Sequence, residues 1–130
     1  MTTSTPLVTG VDFITVPTRD LPAAKEFYGN VLGLTCSAEY ETAPGAEFET
    51  GSLTLQLIDS DVIGREFLAH KFPIALHVED VPAARAELES RGVSFQQPTI
   101  DSGVCHMAFF EDPEGNAFML HNRYAPRTPA

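Results

Sequence analysis

A chain of 130 residues, 43% hydrophobic and 20% charged, can bury one core but is too short for two large independent ones. Its formal charge of -10, from 8 Lys and Arg against 18 Asp and Glu, repels phosphate backbones and anionic membranes, so nucleic acid and membrane surfaces are not expected partners. No apolar run reaches the roughly 20 residues of a membrane span, residues 1–10 lack a signal-peptide pattern, and Cys36 and Cys105 have no CxxC spacing, which together predict a cytoplasmic protein with free thiols.

In chain order, residues 1–10 and 123–130 are small, polar and proline-bearing, and read as flexible ends around one domain at 11–122. Val11 to Val16 is β-rich. Asp20 is placed to cap a helix with Pro22 in its first turn, and Leu21, Ala24, Phe27, Tyr28, Val31 and Leu32 form one apolar stripe that stops at Gly33. Strands are predicted at Leu34 to Tyr40, Ala46 to Thr50 and Ser52 to Ile58, with a turn around Pro44-Gly45. A polar connector, Asp59 to Phe72, leads to a second set: a strand over Pro73 to Val78, a helix capped by Asp80 and ending at Arg91-Gly92, then strands at Val93 to Gln96, Val104 to Glu111 and Asn116 to Asn122. Asp112-Pro113-Glu114-Gly115 is a turn in which proline presets φ and glycine tolerates a positive one.

The two sets repeat each other. Asp20-Leu21-Pro22-Ala23-Ala24 recurs sixty positions later as Asp80-Val81-Pro82-Ala83-Ala84, so the chain is an internal duplication of a βαβββ module, about 11–58 and 73–122. The predicted fold class is α+β, built from two βαβββ modules.

Val16 to Asp20, Phe27-Tyr28, Leu32-Gly33-Leu34, Val78 to Val81, Arg91-Gly92-Val93 and Asp112 to Asn116, in this order and spacing, resemble the vicinal oxygen chelate superfamily of glyoxalases, dioxygenases and bleomycin resistance proteins. The resemblance implies that each module curls its strands, as a mixed sheet, into half of a cup, that the paired modules enclose a ligand cavity and that the protein is a homodimer. It also implies four metal-ligand positions. These match Phe13 on the first strand, Pro73 as its counterpart, Met119 four residues after Gly115, and Leu55 by the same offset from Gly51. Three of these side chains have no lone pair for a divalent ion, and a single thioether favours soft copper. The expectation is therefore no metal and no cofactor. A one-residue slip would bring in Asp12 or Gln56 while reversing the strand faces.

Strand alternation groups Phe13, Thr15 and Pro17; Leu53, Leu55 and Leu57; Pro73, Ala75 and His77; and Ala117, Met119 and His121 as cup walls. Tyr40, Phe48, Phe109 and Phe110 are candidate stacking surfaces, the three phenylalanines being equally suited to core filling. His77 and His121 occupy matching positions and could orient a ligand or exchange protons. Cys105 and His106, as strand neighbours, point to opposite faces and cannot form a nucleophile–base pair, though either could touch ligand alone. Acidic residues including Glu47 and Glu49 would favour a cationic guest if they rim the cup.

These readings predict a metal-free protein that binds a small apolar or aromatic molecule, cationic in one variant, and sequesters an antibiotic or secondary metabolite as bleomycin resistance relatives do. The alternative is an enzyme: a lyase, isomerase or dioxygenase with atypical metal ligands, or an acid–base catalyst using His77 and His121.

Overall fold

The computed structural model of the chain describes residues 5–42 and 44–127. Its order is β1 (Phe13–Thr18), α1 (Leu21–Glu26), β2 (Thr35–Glu39), β3 (Gly45–Glu49), β4 (Thr54–Asp59), β5 (Ile74–His77), α2 (Val81–Ser90), β6 (Ile100–Asp101), β7 (Cys105–Glu111) and β8 (Ala117–Arg123). The strands form two four-stranded sheets of the same topology, β1-β4-β3-β2 and β5-β8-β7-β6. In each, the first strand runs parallel to the last and the remaining pairs are antiparallel. The duplicated α+β modules are thus two separately hydrogen-bonded sheets.

Both helices start as their sequences require. Asp20 Oδ1 accepts from the Ala23 N–H at 3.1 Å, and Asp80 Oδ1 accepts from the Ala83 N–H at 2.9 Å, each with proline in the first turn. The first helix differs from expectation in its second half. After Glu26 it widens into a π-helical stretch over Phe27–Val31, which turns Phe27 and Tyr28 into the core.

Tyr28, which is fully buried, joins the halves. Its ring lies 6.1 Å from that of Phe48 in the first sheet and 5.9 Å from that of Phe118 in the second, and its hydroxyl donates to Asp112 Oδ2 at 2.7 Å. Asn116, also fully buried, donates to the same oxygen at 2.8 Å and to the Pro17 carbonyl at 3.0 Å. Outside this pair, the Glu114 carboxylate accepts from the Thr18 hydroxyl and the Arg19 backbone N–H. Burial pushes the Tyr28 phenol well above its ordinary value, and the adjacent Asp112 carboxylate adds to this.

Two expectations fail at the edges. The segment Val93 to Gln96 forms no strand; Phe95 makes one isolated bridge to Phe110, and the edge strand lies further on, at Ile100–Asp101. The second correction concerns residues 123–130. Arg123 belongs to β8, Tyr124 and Ala125 donate backbone bonds to Val104, and the Tyr124 hydroxyl donates to Asp101 at 2.7 Å. Residues 5–12 carry no regular structure, while 1–4 and 128–130, also expected to be loose, lie outside the described residues.

Candidate functional site

Each sheet has a face packed on the core and a face turned outward. In the first sheet, Ile14, Val16, Leu55, Leu57, Ala46 and Phe48 face inward. The outward set is Phe13, Thr15 and Pro17 from β1, Thr54 and Gln56 from β4, and Glu47 and Glu49 from β3. In the second sheet, Leu76, Phe118, Leu120, Ala108 and Phe110 face inward. Outward are Ala75 and His77 from β5, Ala117, Met119, His121 and Arg123 from β8, and Cys105, Met107 and Phe109 from β7.

The outer face of the first sheet is polar and cross-linked. Thr15 donates to Gln56 Oε1 at 2.8 Å, Gln56 Nε2 donates to the Tyr40 hydroxyl at 2.9 Å, and that hydroxyl donates to Glu47 at 2.6 Å. Glu49 accepts from Ser37 at 2.6 Å and from Thr54 at 2.7 Å, and these two bonds hold its carboxyl below the usual range. Gly45 makes the arrangement possible: the Tyr40 ring lies where a Cβ at that position would be. Sequence reading placed Gly45 in a turn with Pro44 and missed this role; in the structure it is the first residue of β3.

The outer face of the second sheet is mostly apolar. Phe109, Met119 and Ala75 form one lateral row across β7, β8 and β5, and Met107, His121 and His77 form the next. His77 Nε2 lies 3.1 Å from Glu79 Oε1. Cys105 is buried opposite Arg123, with 3.9 Å from the thiol to the guanidinium.

Of the residues expected at the cup, Phe13, Thr15 and Tyr40 share the first outer face, and Met119, His77, His121 and Cys105 share the second. Pro73 precedes β5 and is half-buried. Leu55 is a correction: it is 1% exposed in the core, and Leu57 lies beside it on the same inner face. The turn before β4 holds one more residue after its glycine than the turn before β8, so the equivalent of Met119 is Gln56, not Leu55. His106 is a second correction. It lies on the opposite face of β7 from Met119, 3.4 Å from Asp101 and with its ring 4.9 Å from that of Tyr124. Phe48 and Phe110 belong to the core, whereas Phe109 reaches the outer face.

The two outer faces do not cover one another. The sheets meet through their inner faces in one core, while Phe13 is 50% exposed and Ala75 and His77 are exposed. The expected enclosed cup is therefore two half-cups in a single chain. A cavity of about 340 Å³ lies beside β5 and α2; Ala75 and His77 help to line it, together with Leu34, Leu76, Leu88 and Arg91.

The match that decides the family is in the sequence: the model of the glyoxalase/bleomycin resistance protein/dioxygenase superfamily matches residues 10–120, and the duplicated sheets with identical strand order agree with it. The chain belongs to that superfamily. Among solved structures it is similar to TnmS3, an antibiotic binding protein from Streptomyces sp. CB03234, with TM-score 0.77 and 24% identity, covering 92% of this chain and 99% of that one. A glyoxalase/bleomycin resistance protein from the same Streptomyces has TM-score 0.71 and 25% identity, covering 87% and 100%. A superfamily member from Sphaerobacter thermophilus DSM 20745 has TM-score 0.78 and 22% identity, covering 89% and 98%. No curated protein matches the chain.

The residues do not fit the superfamily's divalent metal. By the resemblance, Phe13, Gln56, Pro73 and Met119 match its ligand positions, and among the described residues no three His, Cys, Asp or Glu side chains converge. Gln56 offers only a neutral amide, with both ends already hydrogen-bonded. No helix among the described residues is long and apolar enough to cross a membrane.

Proposed function

We propose that this superfamily member binds a small aromatic molecule without using a metal, and sequesters an antibiotic or secondary metabolite in the cytoplasm. The observation that carries the reading is the outer face of the second sheet. Phe109, Met119 and Ala75 offer apolar contact there, and His77 and His121 add two polar handles, which is the mix a small-molecule site requires. The antibiotic-binding role of the similar Streptomyces protein supports it. Glu47 and Glu49 on the other outer face suit a guest that also carries positive charge.

A second copy of the chain completes the cup in this proposal, setting the polar half of one protomer against the apolar half of its partner. Leu7 (97%), Phe72 (91%) and Leu68 (72%) are exposed, and a partner surface would give such large apolar groups cover. Binding energy then comes from burying the aromatic guest, at roughly 25 cal/mol per Å² of apolar area before association costs.

The test is a thermal-shift screen of aromatic natural products and cationic antibiotics, paired with sedimentation of the free protein. A guest at a hundred times its dissociation constant adds about 2.7 kcal/mol to native-state stability, raising the melting temperature by roughly 10 °C. The shift should shrink in Phe13→Ala and Met119→Ala. Monomers at all concentrations would defeat the shared cup. The His77–Glu79 contact favours one other reading, acid–base catalysis. Turnover of a bound compound that disappears in His77→Ala would establish it in place of sequestration.

A further inference from the structure

We propose that Met107, His121 and His77 bind monovalent copper. These residues lie in lateral register on three adjacent strands: Met107 pairs with His121 across β7 and β8, and His121 pairs with His77 across β8 and β5. Registered neighbours share a face, and strands are spaced about 4.8 Å apart, so a thioether and two imidazoles belong to one lateral row, with His121 between the other two. This row is one step along the strands from the position of Met119, and it uses none of the four positions at which the superfamily holds its metal.

The donor set selects the ion. Two imidazoles without a carboxylate or third nitrogen make a poor site for magnesium, manganese or zinc, whereas adding a thioether gives a soft three-donor set suited to Cu(I). Glu79 engages Nε2 of His77 and leaves Nδ1 to coordinate, the arrangement in which a carboxylate orients a ligating imidazole. Arg123 lies two residues beyond His121 on the same face, and its charge penalises a divalent ion more than a monovalent one. Met107 and His121 are partly buried, which limits competition from water, while exposed His77 leaves an entry path.

The experiment must separate this site from the thiols, which bind Cu(I) themselves. Under anaerobic conditions, Cu(I) is titrated into a Cys36→Ser/Cys105→Ser variant in competition with a chromophoric Cu(I) chelator. The expected result is one equivalent bound per chain. Affinity should fall by about a hundredfold in the added His77→Ala/His121→Ala pair and by about tenfold in Met107→Leu, which keeps the side-chain volume. No uptake by the thiol-free variant, or uptake unchanged by loss of both histidines, overturns the proposal. Should the thiol-free variant fail to fold, X-ray absorption of the Cu(I)-loaded wild type decides instead: imidazole scattering with sulfur supports the site, and sulfur alone overturns it. The copper site shares His77 and His121 with the contacts proposed for an organic guest, and Met107 tells the two apart. Met107 is outside the contacts proposed for such a guest, so Met107→Leu should weaken copper binding and leave a guest's thermal shift intact.

Discussion

Phe13 and Leu55 sit on opposite faces of the β1–β4 strand pair, and truncating them should have opposite consequences. Leu55→Ala opens a cavity in a packed core and should cost about 2–5 kcal/mol in chemical denaturation, with little direct effect on a guest. Phe13→Ala should cost less than about 1 kcal/mol of stability and weaken guest binding. Equal stability losses in the two variants would refute the assignment of faces. Tyr28→Phe removes only a hydroxyl, but one whose bond to Asp112 ties the modules together, so a loss of about 1.5–3 kcal/mol is expected for a bond to a charged acceptor. At this scale the sequence grouped Phe13, Met119, His77 and His121 on the outward faces where the structure has them, because each strand alternates regularly. It misplaced Leu55 because one extra turn residue after Gly51 reverses every side chain that follows, and a glycine alone does not reveal the length of its turn.

The elements most legible in the sequence are those with local chemical punctuation. Asp20-Leu21-Pro22 and Asp80-Val81-Pro82 specify helix starts through capping oxygens and preset proline φ angles, and both starts are found where expected. The π-helical continuation of α1 and the displacement of the edge strand to Ile100–Asp101 carry no such signal; Tyr28 and Phe95 there pack against residues distant in sequence. The β7–β8 turn should give the molecule an acid-sensitive contact. Burial alone would raise the Glu114 carboxyl, but hydrogen bonds from the Thr18 hydroxyl and from Arg19 together outweigh it and leave the value below the ordinary 4.5. A depressed folded-state value means stability that is present above the ordinary value and is lost as pH falls through the folded one. Denaturation of wild type and Glu114→Gln should therefore differ at pH 7 and converge as pH falls below the ordinary carboxylate range. A constant difference across that range would rule the contact out as a source of acid sensitivity.

For the whole molecule, duplication was readable from the repeated segments, and the superfamily from their order, because both are properties of a single chain. The cup was not readable in the same way. Whether two outer faces meet depends on how the halves are oriented, and that is set by Tyr28, Asn116 and the Glu114 contacts, each bridging residues far apart in sequence. The two faces also diverged in character, one becoming an acidic, hydroxyl-rich surface and the other a surface of thioether, phenyl and imidazole groups.

The backbone hydrogen bonds of each sheet are closed within its own module, and the stretch 61–66 that links them is exposed. Covalent continuity there should be dispensable. Fragments 1–63 and 64–130, expressed apart and mixed, should dock through the Tyr28 interface and recover a single cooperative melt, a complementation assay that also allows one half to be isotope-labelled by itself. Persistent unfolding of the mixture would show that the halves need their tether to find each other.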